Sequence, residues 1–326
     1  MTTIGLPSTS VQISDPLASA VCEGLMSRPK WLPSWLFYDA EGSRLFDQIT
    51  ELPEYYVTRT ERGILADHAS EIIALAAGRE ALRLVELGAG SADKTRILLS
   101  AAVDRQDTVC YEPVDVSASA LNDAQERIER EIPGVVVEPR VQDYTRDFDL
   151  GLPVHGERRL VLYIGSSIGN FEPEEAQLLL QSVRGALLPG DCILLGVDQV
   201  KDREVLLSAY DDAAGVTADF NLNVLKRLNR ELGADFAPRA FRHRAIWNPS
   251  RSRIEMHLES LVCQNNRIPT LDLDLSFAYG ETIHTENSYK YRPGQTEELL
   301  AAAGFAPEMT WTDQQGWFAV CLARVR

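Results

Sequence analysis

The sequence runs to 326 residues, 45% hydrophobic and 25% charged. That is enough chain for two lobes, or for one domain with a large insertion, at a composition near the average for soluble globular proteins. A formal net charge of −16 repels phosphate backbones and anionic headgroups, so neither nucleic acid nor a membrane is an expected partner, and the substrate should be small.

No apolar run approaches the roughly 20 residues of a membrane span. The N-terminus also lacks the basic region, apolar stretch and cleavage site of a secretory signal. Five cysteines, Cys22, Cys110, Cys192, Cys263 and Cys321, are odd in number and widely spaced, as reduced thiols of a cytoplasmic protein would be, and they suggest neither a disulfide nor a metal site.

In chain order, a polar first ten residues precede a segment rich in Pro and Trp (Pro29, Trp31, Pro33, Trp35) and an amphipathic stretch from Ser43 to Thr50. From about residue 82 strands and helices alternate. Strands are expected at Leu82 to Leu87, Thr108 to Val114 and Val135 to Val141, with helices at Asp93 to Val103 and Ser117 to Glu131 between them. A strand at Arg159 to Ile164, a helix from Pro173 to Leu188 and a strand at Cys192 to Val197 continue the series, which predicts a parallel sheet covered on both faces. After Lys201 the rhythm changes: residues 202–232 read as helical, and Arg242 to Trp247, Arg253 to Gln264 and Thr270 to Phe277 as antiparallel strands of an inserted lobe. A helix at Thr296 to Ala303 and two strands, Met309 to Thr312 and Trp317 to Ala323, then complete the first sheet. The expected division is 61–200 with 290–326 as a cofactor-binding domain, and 1–60 with 201–289 as a smaller α+β substrate lobe.

Glu86-Leu87-Gly88-Ala89-Gly90 places a glycine turn between a strand and a helix, where backbone can approach a ligand closely. The third glycine of a dinucleotide fingerprint is missing and the acidic residue precedes the glycines, which suits a sulfonium and amino acid better than a pyrophosphate. Asp115 and Asp143 end the next two strands, where carboxylates can hold ribose hydroxyls and an adenine amino group. Three such features at successive strand ends resemble class I methyltransferases, as does the terminal β-hairpin. The expected fold is therefore α/β, a Rossmann-like doubly wound sheet, with S-adenosylmethionine as methyl donor and S-adenosylhomocysteine as product.

Further segments narrow the family. Phe37-Tyr38-Asp39-Ala40-Glu41-Gly42-Ser43, Phe46-Asp47-Gln48-Ile49-Thr50, Leu52-Pro53-Glu54-Tyr55-Tyr56, Thr58-Arg59-Thr60-Glu61, Gly165 to Asn170, Ala209 to Thr217, Arg253-Ile254-Glu255-Met256 and Thr285-Glu286-Asn287-Ser288 resemble the ergothioneine-pathway L-histidine Nα-methyltransferases. The resemblance spans roughly residues 29 to 326 and implies trimethylation of the α-amino group of L-histidine to hercynine. It implies cofactor contacts from Tyr38, Gly88, Lys94, Asp115, Asp143 and Tyr144, and substrate contacts from Tyr55, Gly165, Asn170, Tyr210, Met256, Glu286 and Ser288. Tyr38 and Asn170 are the expected catalytic residues; no metal is expected.

Physical chemistry bears on some of these independently. On an extended segment Glu286 and Ser288 share a face, and a carboxylate beside a hydroxyl can hydrogen-bond both nitrogens of an imidazole. Standing alone, Glu286 would more simply be a solvated charge. Asn170, just ahead of Glu172 and Pro173, would more simply be a helix N-cap, and Tyr55, Tyr210 and Phe46 core residues. Tyr38 and Phe46 could also favour a growing ammonium through their ring faces. No strong base stands out, so water or a tyrosine hydroxyl, with Tyr38 the candidate, is the expected proton acceptor. The five histidines have no metal-ligand spacing and read as structural or exposed. A monomer is expected. The alternatives are the same fold acting on tryptophan or tyrosine, a noncatalytic S-adenosylmethionine-binding interaction protein and, more distantly, a nicotinamide-dependent dehydrogenase.

Overall fold

The computed structural model describes residues 15–326 apart from Ser91, Asp147, Pro153 and the side chain of Ser119, so the polar first ten residues lie outside the described ones. In chain order, α1 (Pro16–Met26), β1 (Lys30–Trp31), a 3-10 turn at Ser34–Phe37 and α2 (Ala40–Thr50) precede the long α3 (Tyr56–Ala77). An alternating series follows: β2 (Ala81–Leu87), α4 (Thr95–Gln106), β3 (Val109–Asp115), α5 (Ala118–Glu131), β4 (Val135–Val137), β5 (Arg140–Val141), β6 (Glu157–Tyr163), a 3-10 turn at Ser167–Asn170, α6 (Pro173–Gly185) and β7 (Cys192–Asp198). Then come α7 (Arg203–Tyr210), α8 (Val216–Leu232), β8 (Phe241–Asn248), β9 (Arg253–Ser260), β10 (Gln264–Ile268), β11 (Leu273–Phe277), β12 (Thr282–Tyr289), α9 (Gln295–Ala302), β13 (Phe305–Thr312) and β14 (Phe318–Val325).

The chain divides into two compact units, residues 52–209, 247–254 and 287–326 in the larger and residues up to 51, 210–246 and 255–286 in the smaller. The larger holds an eight-stranded sheet in the order β13-β14-β7-β6-β2-β3-β4, with β5 also pairing β3. Strands β4, β3, β2, β6 and β7 run parallel, and the β13-β14 hairpin joins β7 in antiparallel fashion. This is the doubly wound sheet with a terminal hairpin that the sequence predicts. Every residue of β7 is buried, as expected where helices cover both faces of a parallel sheet. The strand order reverses at β2 and β6, so the carboxyl ends of these strands and their neighbours form the crevice where open α/β sheets take ligands. Among the described residues no helix is long and apolar enough to cross a membrane.

Four elements differ from the sequence expectation. The strand expected at Val135 to Val141 is broken into β4 and β5, each pairing with β3. Residues 202–232 form two helices, because the Asp212 carboxylate accepts the backbone N–H groups of Val216 and Thr217 at 3.0 and 2.8 Å and starts α8 afresh. The strand from Arg253 stops at Ser260, and β10 pairs with β11 as a separate two-stranded ribbon. Residues 282–289, for which no strand was assigned, form β12, an inner strand of a four-stranded sheet ordered β1-β12-β9-β8.

Two buried carboxylates hold the carboxyl edge of the large sheet. Glu86, near the end of β2, accepts the Thr95 hydroxyl at 2.5 Å and the Tyr111 hydroxyl, which fixes the strand to α4 and β3. Burial pushes its carboxyl up to about 7 against the lowering effect of those hydroxyls and of Lys94. Asp198, fully buried at the end of β7, meets the Lys290 ammonium at 2.8 Å, the Lys201 ammonium, and the Tyr56 hydroxyl at 2.7 Å. Burial would raise this carboxyl, but the two ammonium groups hold it below its ordinary range. Desolvation also pulls Lys201 down to about 8.

These two sites generate opposite expectations. Asp198→Asn leaves Lys290 buried beside a neutral amide, so urea unfolding should record a loss of about 3–5 kcal/mol; a loss no larger than that of a surface substitution would contradict the pairing. Because the folded pKa of Glu86 exceeds its unfolded value of 4.5, the folded state binds the extra proton between that value and about 7. The stability contributed by Glu86 is therefore fully present below the unfolded pKa and lost as pH rises through the folded one. Relative to Glu86→Gln, wild-type stability should fall by on the order of 3 kcal/mol across that window. Parallel stability curves at pH values on either side of it would rule this out.

Candidate active site

On the larger unit the residues expected to meet the cofactor gather at the carboxyl ends of β2 and β3 and on the loops beside them. The turn after β2 has Gly88 at φ +69° and Gly90 at φ +48°, a region open to glycine and strained for other residues. The Gly88 N–H donates to the Val114 carbonyl at 2.9 Å, which locks the turn onto β3. A Cβ at Gly88 would lie 3.2 Å from the Tyr144 hydroxyl, whereas one at Gly90 would meet nothing within 4 Å. The turn thus leaves open space beside exposed backbone, which fits a ligand such as S-adenosylmethionine.

Asp115 closes β3 and accepts the Ser117 N–H at 2.9 Å, just ahead of the Ser117 hydroxyl that caps α5. Asp143, like Asp115, is partly exposed. One of its oxygens takes the N–H and hydroxyl of Thr145, at 3.0 and 2.5 Å, and the other lies 3.4 Å from Arg146. Tyr144 packs edge-on against Tyr163, with centroids 5.9 Å apart, and burial raises its hydroxyl to about 12, so it remains a neutral donor. Lys94, immediately before α4, points its ammonium at Glu61.

The same unit carries Tyr55, Gly165, Asn170 and Ser288. Tyr55 is buried at the start of α3. Gly165 follows β6, and its N–H donates to both Glu61 oxygens, at 2.9 and 3.0 Å. Asn170 ends the 3-10 turn but does not cap α6. That role belongs to Glu172, in a capping box with Glu175. The plainer explanation for Asn170 is thereby removed. Ser288 lies on β12 and its hydroxyl oxygen accepts from Lys290 at 2.8 Å, which ties it to the Asp198 cluster. The backbone N–H of Asp198 also donates to the Ser166 hydroxyl at 2.8 Å. Asp198 therefore anchors the neighbour of Tyr55 and, through Lys290, Ser288 by its carboxylate, and the neighbour of Gly165 by its backbone N–H.

The smaller unit carries Tyr38, Tyr210, Met256 and Glu286. Tyr38 is 46% exposed and edges onto Phe46 and Phe220 at 5.7 and 5.9 Å between centroids. Phe46 also packs on Phe220, so its core role and its place beside Tyr38 coexist. Buried Tyr210 and Met256 are joined through side chains that sequence did not single out. His243 Nε2 donates to the Tyr210 carbonyl at 2.7 Å, and its Nδ1 accepts from the Asn221 amide at 2.9 Å. Burial lowers the His243 pKa, which keeps the ring neutral as this pattern of one donor and one acceptor requires. The Thr285 hydroxyl lies 2.9 Å from Asn221 Oδ1 and 3.0 Å from the Met256 carbonyl, adjacent to Glu286. Glu286 is half-buried, and its own carbonyl accepts from His284 at 3.0 Å.

Sequence reasoning assigned no role to most of a supporting set, Asp198, Lys201 and Lys290 in the larger unit and Asn221 in the smaller; Glu61 entered only within a family segment, and His243 is structural, one of the two roles expected of the histidines. A signal existed for Asp198, a lone acid at the end of an otherwise apolar strand. Cys110, Glu112 and Glu138 also stand within ligand distance of one another. Arg83 bridges Glu112 and Glu138, Arg140 holds Glu112 at 2.5 Å, and burial raises the Cys110 thiol to about 12. Guanidinium groups thus neutralise the acids there. All five cysteines are free, with Cys192 and Cys321 buried and Cys263 exposed.

A family model described as histidine-specific methyltransferase, SAM-dependent, matches residues 17–325. A histidine N-alpha-methyltransferase of Mycolicibacterium smegmatis is 47% identical over 95% of this chain and 95% of its own length. One of Mycobacterium tuberculosis is 45% identical over 93% of each. Ergothioneine biosynthesis protein 1 of Neurospora crassa is 29% identical over 87% of this chain and 32% of its own. With the sheet, the glycine turn and these likenesses together, the chain belongs to the family of histidine-specific, S-adenosylmethionine-dependent methyltransferases.

Proposed function

We propose that the protein transfers three methyl groups in succession from S-adenosylmethionine to the α-nitrogen of L-histidine, giving hercynine. The observation that carries the acceptor is Glu286 and Ser288, a carboxylate and a hydroxyl two residues apart on β12 and hence on one face of the strand. An imidazole N–H can donate to the carboxylate while the hydroxyl donates to the other ring nitrogen. Apolar side chains of similar size would make neither hydrogen bond. Met256 adds a buried apolar contact. Asn170, Tyr55 and Tyr210 offer neutral donors for the α-carboxylate and positions around the α-amine.

On the donor side, Gly88 and its turn would admit the cofactor, Asp115 its ribose hydroxyls, Asp143 and Tyr144 its adenine, and Lys94 its carboxylate. When bound, S-adenosylmethionine supplies an electrophilic methyl group, which the lone pair of the α-nitrogen takes in line as the carbon–sulfur bond breaks and S-adenosylhomocysteine leaves. The residues around it need only align the two molecules and exclude competitors, an effect worth roughly 7–11 kcal/mol in favourable cases. Tyr38, whose ring also offers a face to a growing ammonium, passes the α-nitrogen proton to water in this scheme. No covalent enzyme intermediate is required.

Incubation with S-adenosylmethionine and each of the twenty amino acids, read by mass spectrometry, should give histidine with one, two and three added methyl groups. Methylation of tryptophan or tyrosine in its place would overturn the acceptor, and binding without product would leave a noncatalytic protein. Glu286→Ala should raise the histidine KM by roughly 10- to 100-fold, the equivalent of one charge-assisted hydrogen bond. Unchanged kinetics would remove Glu286 from the substrate site.

A further inference from the structure

Glu61 is fully buried on the first turns of α3, where a lone carboxylate would ordinarily be excluded. It is retained because three elements converge on it. Both of its oxygens accept the Gly165 N–H, at 2.9 and 3.0 Å, at the end of β6. Its Oε2 also receives the Lys94 ammonium, from the start of α4. On the third side β7 gives way: a Cβ at Gly196 would fall 2.1 Å from Oε1, so glycine is the residue that lets the carboxylate lie against the strand. The same ammonium is near enough to depress Glu86, and the Glu61 charge to raise it. The donor-side lysine and the acceptor-side glycine thus hang on one rigid carboxylate.

We propose that Glu61 is a positioning residue for methyl transfer: it fixes Lys94 and Gly165 relative to one another, and so sets the alignment of donor and acceptor. The inference rests on the assignment of Lys94 to the cofactor and Gly165 to the substrate. Glu61 itself need touch neither molecule. Its contribution should therefore fall on the rate of the bound complex rather than on binding, because a misplacement of about 1 Å in an aligned displacement can slow it by on the order of 100-fold.

Single-turnover and steady-state kinetics on the intact protein separate these effects. Glu61→Gln preserves size and an acceptor for Gly165 but releases Lys94. The saturated single-turnover rate should drop by roughly 10- to 100-fold, with both KM values within about threefold of wild type. Lys94→Met should raise the KM for S-adenosylmethionine, and the double variant should lose less than the product of the two single losses, since Glu61 acts in part through that lysine. If Lys94→Met leaves that KM unchanged, the cofactor assignment falls and the inference with it. If that KM rises but Glu61→Gln turns over at the wild-type rate, or if the two losses multiply, the assignment stands and the inference is overturned. Should Glu61→Gln not fold, Glu61→Asp keeps the charge but cannot span both partners. It should lose rate with KM values retained, and a wild-type rate there would equally overturn the proposal.

Discussion

The buried charge at the end of β7 governs much of what the larger unit presents. Asp198 is a fully buried carboxylate, so its ionised form depends on Lys290 and Lys201 being held against it. Holding them requires that the chain after β7, the segment after β12 and the first turn of α3 converge at one point. That convergence places Ser288 under the Lys290 ammonium, Tyr55 beside Tyr56, and Gly165 beside the Ser166 hydroxyl. An ammonium has no lone pair to offer, so Ser288 accepts in its contact with Lys290 and its single O–H is directed elsewhere.

Glu86 and Glu61 make an instructive pair, because the same buried side chain is handled in two ways within one region. Glu86 is met by two neutral hydroxyls, and burial pushes its carboxyl up to about 7. Glu61 is met by an ammonium and a backbone N–H. The first arrangement clamps a strand end, as a protonated or an ionised group could. The second is an ion pair whose ammonium also lies against Gly165, so the charge itself is required. The acidic residue of the Glu86-Leu87-Gly88-Ala89-Gly90 segment thus supports the turn from beneath, with both oxygens engaged by Thr95 and Tyr111.

The parallel sheet was legible in sequence because each strand is a short apolar run and each helix follows it at an unambiguous period. Strand ends came with it, so Gly88, Asp115 and Gly165 could be placed before any coordinates. β12 escaped because its residues 282–289 carry polar and charged side chains that no pattern of buried and exposed positions marks as an inner strand, although the period-two relation of Glu286 and Ser288 survived. The supporting residues escaped for a different reason. Glu61 on a helix, Lys290 past a strand and Asn221 within α8 each look like solvated polar positions in one dimension. Only the fold reveals that their partners come from 104, 92 and 64 residues away.

The chemistry explains why the supports are charged and buried while the residues proposed to face the substrates are mostly neutral. Methyl transfer to an amine needs no strong base at the moment of bond making, since the nitrogen must already hold its lone pair, and a full charge near the α-nitrogen would bias its protonation. Hydroxyls, amides and an aromatic face suit that surface. Alignment is the remaining requirement, and alignment demands side chains that do not move. Buried ion pairs supply it: breaking one strands a charge in a low-dielectric interior at a cost of about 3–5 kcal/mol, which makes displaced arrangements of Lys94, Ser288 or Tyr56 rare. The rigidity of the site is therefore a property of Glu61 and Asp198, two carboxylates assigned no contact with either substrate.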